Sequence, residues 1–238
     1  DGDVYIEAQQ LNLQQLNTKF KLVDQFKTGA VADVTLWASL DNNAIETLYA
    51  QFDASKLSIS NLETGKSWKT GHLSTNFRYT HDEDRWNIAV SDFYFGEQLK
   101  PSWPHSSSVL LSNEDGHYAL SADYLRVADV QDMVEALLNQ EMLADFDKIK
   151  PYGFQADIYN LNLLLPEEIS KQQLQDELEL QASVIDFSIS ANNIRLAGID
   201  GAIHYKKGLA TLDLNSQDAE IEITDLFRGP LSAETMAG

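Results

Sequence analysis

The sequence predicts a mainly β (α+β) protein: a curved antiparallel sheet built from two tandem β-rich repeats, each with one amphipathic helix. Three observations lead there. Apolar and polar residues alternate over most of the chain, the period of strands with one buried face. Two stretches switch to helical spacing. The order strand, helix, strands then occurs twice, which places units at about 1–117 and 118–238.

The elements follow in pairs. AQQLNLQQL at 8–16 matches ADYLRVADV at 122–130, setting Ala8, Leu11, Leu13 and Leu16 against Ala122, Leu125, Val127 and Val130. After the first, Leu13, Leu16, Phe20 and Val23, with Phe26 nearby, have helical spacing that ends before Gly29. After the second, Val130, Met133, Val134, Leu137, Leu138 and Met142, with Phe146 one turn on, predict a helix near 129–146. Asp129 is its N-cap candidate, and Pro151 and Gly153 punctuate its end.

The strands that follow also agree. GAVADV at 29–34 aligns with GFQADI at 153–158, and each runs into a polar link, DNNA at 41–44 and PEEISKQQ at 166–173. LYAQFDASKLSIS at 48–60 aligns with LELQASVIDFSIS at 178–190. Leu48, Ala50, Phe52 and Ala54 share one parity before Leu57 and Ile59 take the other. Leu178, Leu180, Ala182 and Val184 do the same before Ile185, Phe187 and Ile189. Parity fixes the sheet face, so a shared switch predicts a shared bulge or bend. Gly71-His72-Leu73 then matches Gly201-Ala202-Ile203, with polar hairpins HDEDR at 81–85 and KKG at 206–208. Trp86, Ile88 and Val90 correspond to Ala210, Leu212 and Leu214, and DFYFG at 92–96 resembles DLFRG at 225–229. One-sided strands with unpaired edges bury themselves best against a neighbouring copy.

Composition narrows the function. With 17 basic against 37 acidic residues, formally −20, the surface repels phosphate, so no nucleic-acid partner is expected and docking on anionic lipid headgroups is disfavoured. The absence of cysteine excludes disulfides and thiol chemistry. No apolar run approaches the roughly 18 residues of a membrane span. The opening in mid-alternation at DGDVYIEA and the close at SAETMAG suggest an excised fragment.

Catalytic and metal motifs are missing. His72, His81, His105, His117 and His204 form no HxH or HExxH pattern. DGD at 1–3, DED at 82–84 and NEDG at 113–116 lack the ligand spacing of a calcium loop. GxSxG, GxxxxGK[ST] and GxGxxG are not found. No catalytic residue, no metal and no cofactor is expected, and an enzyme is unsupported.

Aromatics give a softer signal. Phe77, Tyr79, Trp86, Phe93, Tyr94 and Phe95 crowd the first unit, with Trp103 between Pro101 and Pro104. Core packing is the ordinary explanation. The other is an apolar face left partly open as a groove. At about 0.8 kcal/mol per buried CH₂, an acyl chain of around 16 carbons gains on the order of 10 kcal/mol in such a trough.

"YGFQADIYNL", "GIDGAIHYKKGLATLDLNS" and "DLFRGPLSAETMAG" carry a resemblance to the AsmA-like superfamily, in its branch of large YhdP-type envelope proteins. The resemblance implies a periplasmic segment of an inner-membrane-anchored Gram-negative protein. It also implies further repeats in the parent, a long β structure with a hydrophobic groove, and phospholipid movement towards the outer membrane. It brings no catalytic residues. The helix at 129–146 is long for a purely β groove and would cap or interrupt it.

Two functions follow. In the first, phospholipid acyl chains lie on an open face carrying Phe52, Leu73, Phe77, Trp86, Ile88 and Val90, with Ala182, Val184, Ile203, Leu212 and Leu214 in the second unit. In the second, the chain is a structural or protein-interaction module of the envelope with a closed core. A hydrolase comes third.

Overall fold

The computed structural model describes residues 2–15, 25–41, 44–82, 85–97, 100–101, 103, 107–114, 116–140, 143–144, 147, 153–166, 171–191, 194–223, 231–233 and 236–237. The fold is mostly β, antiparallel and open. Contacts divide the chain into two compact units: Asp1–Asp115 with Asp132–Gln140, and Gly116–Gln131 with Glu141–Gly238.

Unit 1 is a meander. Its strands are β1 (Gly2–Asn12), β2 (Phe26–Asp41), β3 (Ala44–Asn61), β4 (Ser67–Asp82) and β5 (Arg85–Glu97), each paired antiparallel with the next. β5 also pairs with the short β6 (Lys100–Pro101) and with β7 (Ser107–Glu114). Among the described residues β1 has one strand partner, β2, so the sheet is not closed at that side.

Unit 2 begins with β8 (His117–Arg126), leading into helix α1 (Val127–Leu137), whose residues from Asp132 on belong to unit 1. β9 (Gln155–Pro166), helix α2 (Lys171–Glu177), β10 (Glu179–Ala191) and β11 (Ile194–Lys206) follow. β8, β9, β10 and β11 pair in that order. β11 then divides its far edge. Gly201–Lys206 pairs with β12 (Leu209–Ser216), and Ile194–Ala197 pairs with β13 (Ala219–Ile223). β14 (Leu231–Ala233) pairs with β13, and β15 (Met236–Ala237) with β12. Lys207 (φ 52) and Gly208 (φ 76) make the two-residue turn between β11 and β12, both left-handed as a type I′ hairpin requires.

β3 has 18 residues, and β2 and β4 have 16 each, beyond the usual 3–10. Strands this long keep one face apolar only if their alternation is corrected where the sheet bends. The parity switch read in the sequence is that correction. Lys56 (φ 53) in β3 and Asp186 (φ 52) in β10, which the repeat alignment superposes, both take the left-handed conformation. The β2–β3 register shifts between Gly29 and Val31, opposite Lys56, and the β10–β11 register shifts between Val184 and Phe187. A left-handed non-glycine residue costs on the order of 1–3 kcal/mol. What it gains is that Leu57 and Ile59, or Phe187 and Ile189, stay with the apolar side.

A bulge strands a backbone amide, and neighbouring carboxylates accept two of these. The Gln10 amide (φ 52) donates to Asp33 Oδ1 at 2.7 Å, and the Asp186 amide donates to Asp200 Oδ1 at 2.8 Å. Thus Asp33 has a reason to sit mid-strand.

The helices depart from expectation. The helix expected over 129–146 is interrupted: α1 runs over Val127–Leu137, and residues 138–139 are not helical. Of the described residues beyond them, 140, 143, 144 and 147 are helical again, while Met142 and Phe146 lie outside the described residues. Asp129 sits inside the first turn, not at the N-cap, where its charge still complements the helix dipole. Its carboxylate faces Arg126 at 3.7 Å. At the other end, Asn61 Nδ2 donates to the Leu138 carbonyl at 2.8 Å, satisfying one of the acceptors a helix leaves unpaired. Asn61 Oδ1 meanwhile accepts the amides of Glu63 and Thr64, so one side chain holds the β3–β4 turn and receives the helix end. Buried Glu135 pairs with Lys66 at 3.3 Å.

The first-unit helix expected after Leu13 is seen as helical residues 13–15; residues 16–24 lie outside the described set, and Phe26 opens a strand. The link read at 166–173 runs into an unexpected helix, α2, where polar KQQLQDE offered no apolar period.

In unit 2, fully buried Tyr124 packs on Tyr159 with ring centroids 5.0 Å apart, beside the Arg126–Asp157 ion pair at 3.1 Å. Burial pushes the Tyr124 hydroxyl up to about 12 from 10.0; Arg126 opposes this and Asp157 adds to it. The neutral phenol is therefore favoured by folding, a contribution complete below pH 10 and lost as pH rises through about 12. A phenolate absorbance titration should show one tyrosine ionising late, and Tyr124→Phe should remove that step.

A Cβ on Gly201 would run into the Asp213 carbonyl oxygen across the β11–β12 ladder. Gly201→Ala should cost about 1–3 kcal/mol in urea unfolding, as overpacking does. A wild-type midpoint would show that these strands are not held so closely.

Candidate functional site

Register decides which side chains share a face. In unit 1, Ile6, Leu36, Ala50, Phe77, Val90 and Val109 pair across successive strands as one row. Val4, Ala38, Leu48, Tyr79, Ile88 and Leu111 form the row beside it. On the other side come Ala8, Val34, Phe52 and Thr75, and then Ala32, Ala54, Leu73 and Phe95. The opposite face carries Asp33, Thr35, Gln51, Asp53, Ser74, Asn76 and Arg78 by the same registers. One face of this meander is apolar, the other largely polar.

The apolar face is closed at one end. Trp103 is fully buried, with its ring 5.2 Å from Phe93 and 5.0 Å from Phe95. Phe95 in turn meets Trp68 edge-on at 5.6 Å. Ala32, Ala54 and Leu57 are buried at the same end. The end of α1 and the residues after it meet the β3–β4 hairpin through Asn61, Lys66 and Glu63. Further along, burial is incomplete. Phe52, Phe77, Trp86, Ile88 and Val90 are half-buried, and Val4 and Ile6 are 39% and 50% exposed.

All six residues expected in unit 1 fall on this face. Leu73 belongs to the row that pairs with Ala54 and Phe95, at the closed end. Phe52, Phe77 with Val90, and Ile88 follow row by row, and Trp86 comes last, opposite His81. The expected groove leaves out Leu48, although its parity with Phe52 was read, and also Val4, Ile6 and Leu36, which the same alternation marks.

The unit 2 residues are less alike. Ala182, Ile203 and Leu212 form one row, while Val184 and Leu214 flank Gly201 in the next. Ala182 and Val184 are buried, Ile203 and Leu214 half-buried, and Leu212 is 58% exposed. Tyr205, Leu180, Leu163 and Leu120 make a further row that the sequence did not single out. A concavity of about 470 Å³ centres on that row, and its lining mixes Leu163, Leu164 and Leu180 with Asn162, Gln181 and His204. None of the five expected residues lines it.

These features define an open antiparallel β protein whose first unit offers an apolar, half-exposed face closed at one end. The chain belongs to the YhdP protein family, whose model it matches over residues 1–238. No curated protein and no solved structure matches it. No helix among the described residues is long and apolar enough to cross a membrane.

Burial predicts how the two ends differ. Trp103→Ala should destabilise unit 1 by about 3–5 kcal/mol, the cost of emptying a buried aromatic site. Ile88→Ala, half-buried, should cost markedly less. Urea unfolding of both variants checks the gradient, and equal costs would mean that the face is sealed throughout.

Proposed function

We propose that this chain is a segment of a Gram-negative envelope protein that holds phospholipid acyl chains on the apolar face of unit 1. The observation that carries the reading is a face of Phe52, Phe77, Trp86, Ile88 and Val90 that is neither buried nor polar. Membership of the YhdP family supports the envelope setting. An acyl chain asks for continuous apolar contact and no directional partner, which rows of aliphatic and aromatic side chains supply. At about 0.8 kcal/mol per CH₂, even partial cover of a chain is worth several kcal/mol. The reading assigns no catalytic step and no cofactor. It makes the chain one stretch of a periplasmic conduit from the inner towards the outer membrane, in line with further repeats of a membrane-anchored parent.

A closed scaffold is the competing reading, favoured by buried Ala182 and Val184 in unit 2. The two differ in what a charge on the face does. Under the conduit reading Phe77→Glu with Ile88→Glu removes lipid and leaves a folded domain. Under the scaffold reading unpaired charge enters a core and unfolds it.

Native mass spectrometry of the chain purified from a bacterial host should show phospholipid adducts, released on denaturation. They should be lost from the double variant while its circular dichroism is kept. An unliganded mass with no uptake of a fluorescent phospholipid would transfer the assignment to the scaffold.

A further inference from the structure

The polar face of unit 1 also carries apolar and aromatic residues by register, among them Val31, Tyr94 and Leu110, and three of its aromatic rings stand in one row. Tyr5, Trp37 and Tyr49 lie in a single cross-strand row over β1, β2 and β3. Their rings touch in sequence, with centroids 5.2 and 5.3 Å apart and tilts of 43° and 41°. They belong to the face opposite Ile6, Leu36 and Leu48, so they form no part of the apolar trough. Tyr5 is 55% and Trp37 40% exposed. Isolated exposed aromatics are ordinary, but three in contact on a largely polar face are a patch.

The rows on either side define its chemistry. Asp3, Ser39 and Thr47 run along one flank. Glu7, Thr35 and Gln51 run along the other. The Tyr5 hydroxyl donates to Glu7 Oε2 at 2.8 Å, and Gln51 Nε2 donates to the Tyr49 hydroxyl at 3.1 Å. Ser39 Oγ donates to Asp3 Oδ1 at 2.7 Å. The two tyrosine hydroxyls are thus held by neighbours and the Trp37 ring lies between their rings before any ligand arrives, which lowers the ordering cost of binding.

We propose that this aromatic ladder is a binding site for an uncharged oligosaccharide. A pyranose has an apolar face of C–H bonds and a rim of hydroxyls. An aromatic stripe between rows of carboxylate, amide and hydroxyl groups is complementary to both at once. A flat sheet row suits an extended sugar chain, which stacks on successive rings while the flanking groups take its hydroxyls. The formal charge of −20 repels anionic polysaccharides and selects the neutral class. Lipid binding on the other face is a separate matter, and neither result decides the other.

The test uses two uncharged probes, the β-1,4-linked tetrasaccharides of N-acetylglucosamine and of glucose. It follows saturation-transfer NMR and calorimetry on the whole chain. Saturable binding to at least one probe is expected, with transfer to its ring C–H protons. Trp37→Ala should weaken it by at least about tenfold with an unchanged melting temperature. Should that variant fail to fold, Tyr5→Ala on the edge strand makes the same test, and Leu62→Ala in the distant β3–β4 turn should bind normally. Absence of binding to both probes at millimolar concentration overturns the proposal. So does undiminished binding in the folded ladder variant, which would leave the patch to a protein partner or to strand pairing alone.

Discussion

Everything in unit 1 depends on keeping alternation in phase over strands far longer than a flat pleat allows. Side chains on a strand point to opposite faces in turn, so one uncorrected slip sends every later apolar residue into water. The chain resolves this at Lys56, and in the second copy at Asp186, by turning a single residue left-handed. The strain of that residue is offset by each aliphatic side chain beyond it that remains on the correct side. The two side chains have opposite charge, so what the repeats share at this point is a backbone shape and not a chemistry.

This device was legible in LYAQFDASKLSIS and LELQASVIDFSIS because it leaves a mark in the pattern itself. Likewise the shared face of Phe52, Phe77, Ile88 and Val90 follows from alternation plus hairpin order. Other features leave no such mark. The break at residues 138–139 left no mark, because the helical period of Val134, Leu137 and Leu138 runs through it and helical residues resume at 140. Helix α2 was missed because KQQLQDE has one aliphatic residue and shows no period. The ladder of Tyr5, Trp37 and Tyr49 joins three strands, and only register brings its members together. Burial in unit 2 also escaped the sequence. Ala182 and Leu212 are partners through Ile203 in one row, yet one is buried and the other 58% exposed, because exposure is set by what lies over each position and not by its parity.

The two faces of unit 1 pose different physical problems. The apolar face can only discriminate by shape and length, since dispersion and dehydration are indifferent to direction. The polar face carries oriented donors and acceptors, which discriminate by geometry. A single sheet can therefore present unspecific adhesion on one side and selective contacts on the other without the two interfering, because the backbone between them is fully occupied by its ladder.

The meander order of unit 1 also bears on how the chain is built. From β1 to β5 every strand bonds to its immediate predecessor. Pairing is thus between strands consecutive in sequence, which keeps each loop closure shorter than the pairing of distant strands would. A sheet of this kind is assembled like a zip: a hairpin such as β3–β4, closed by the Asn61 turn, gives the following strand an edge already in place. Growth from one end then suits a chain that emerges residue by residue.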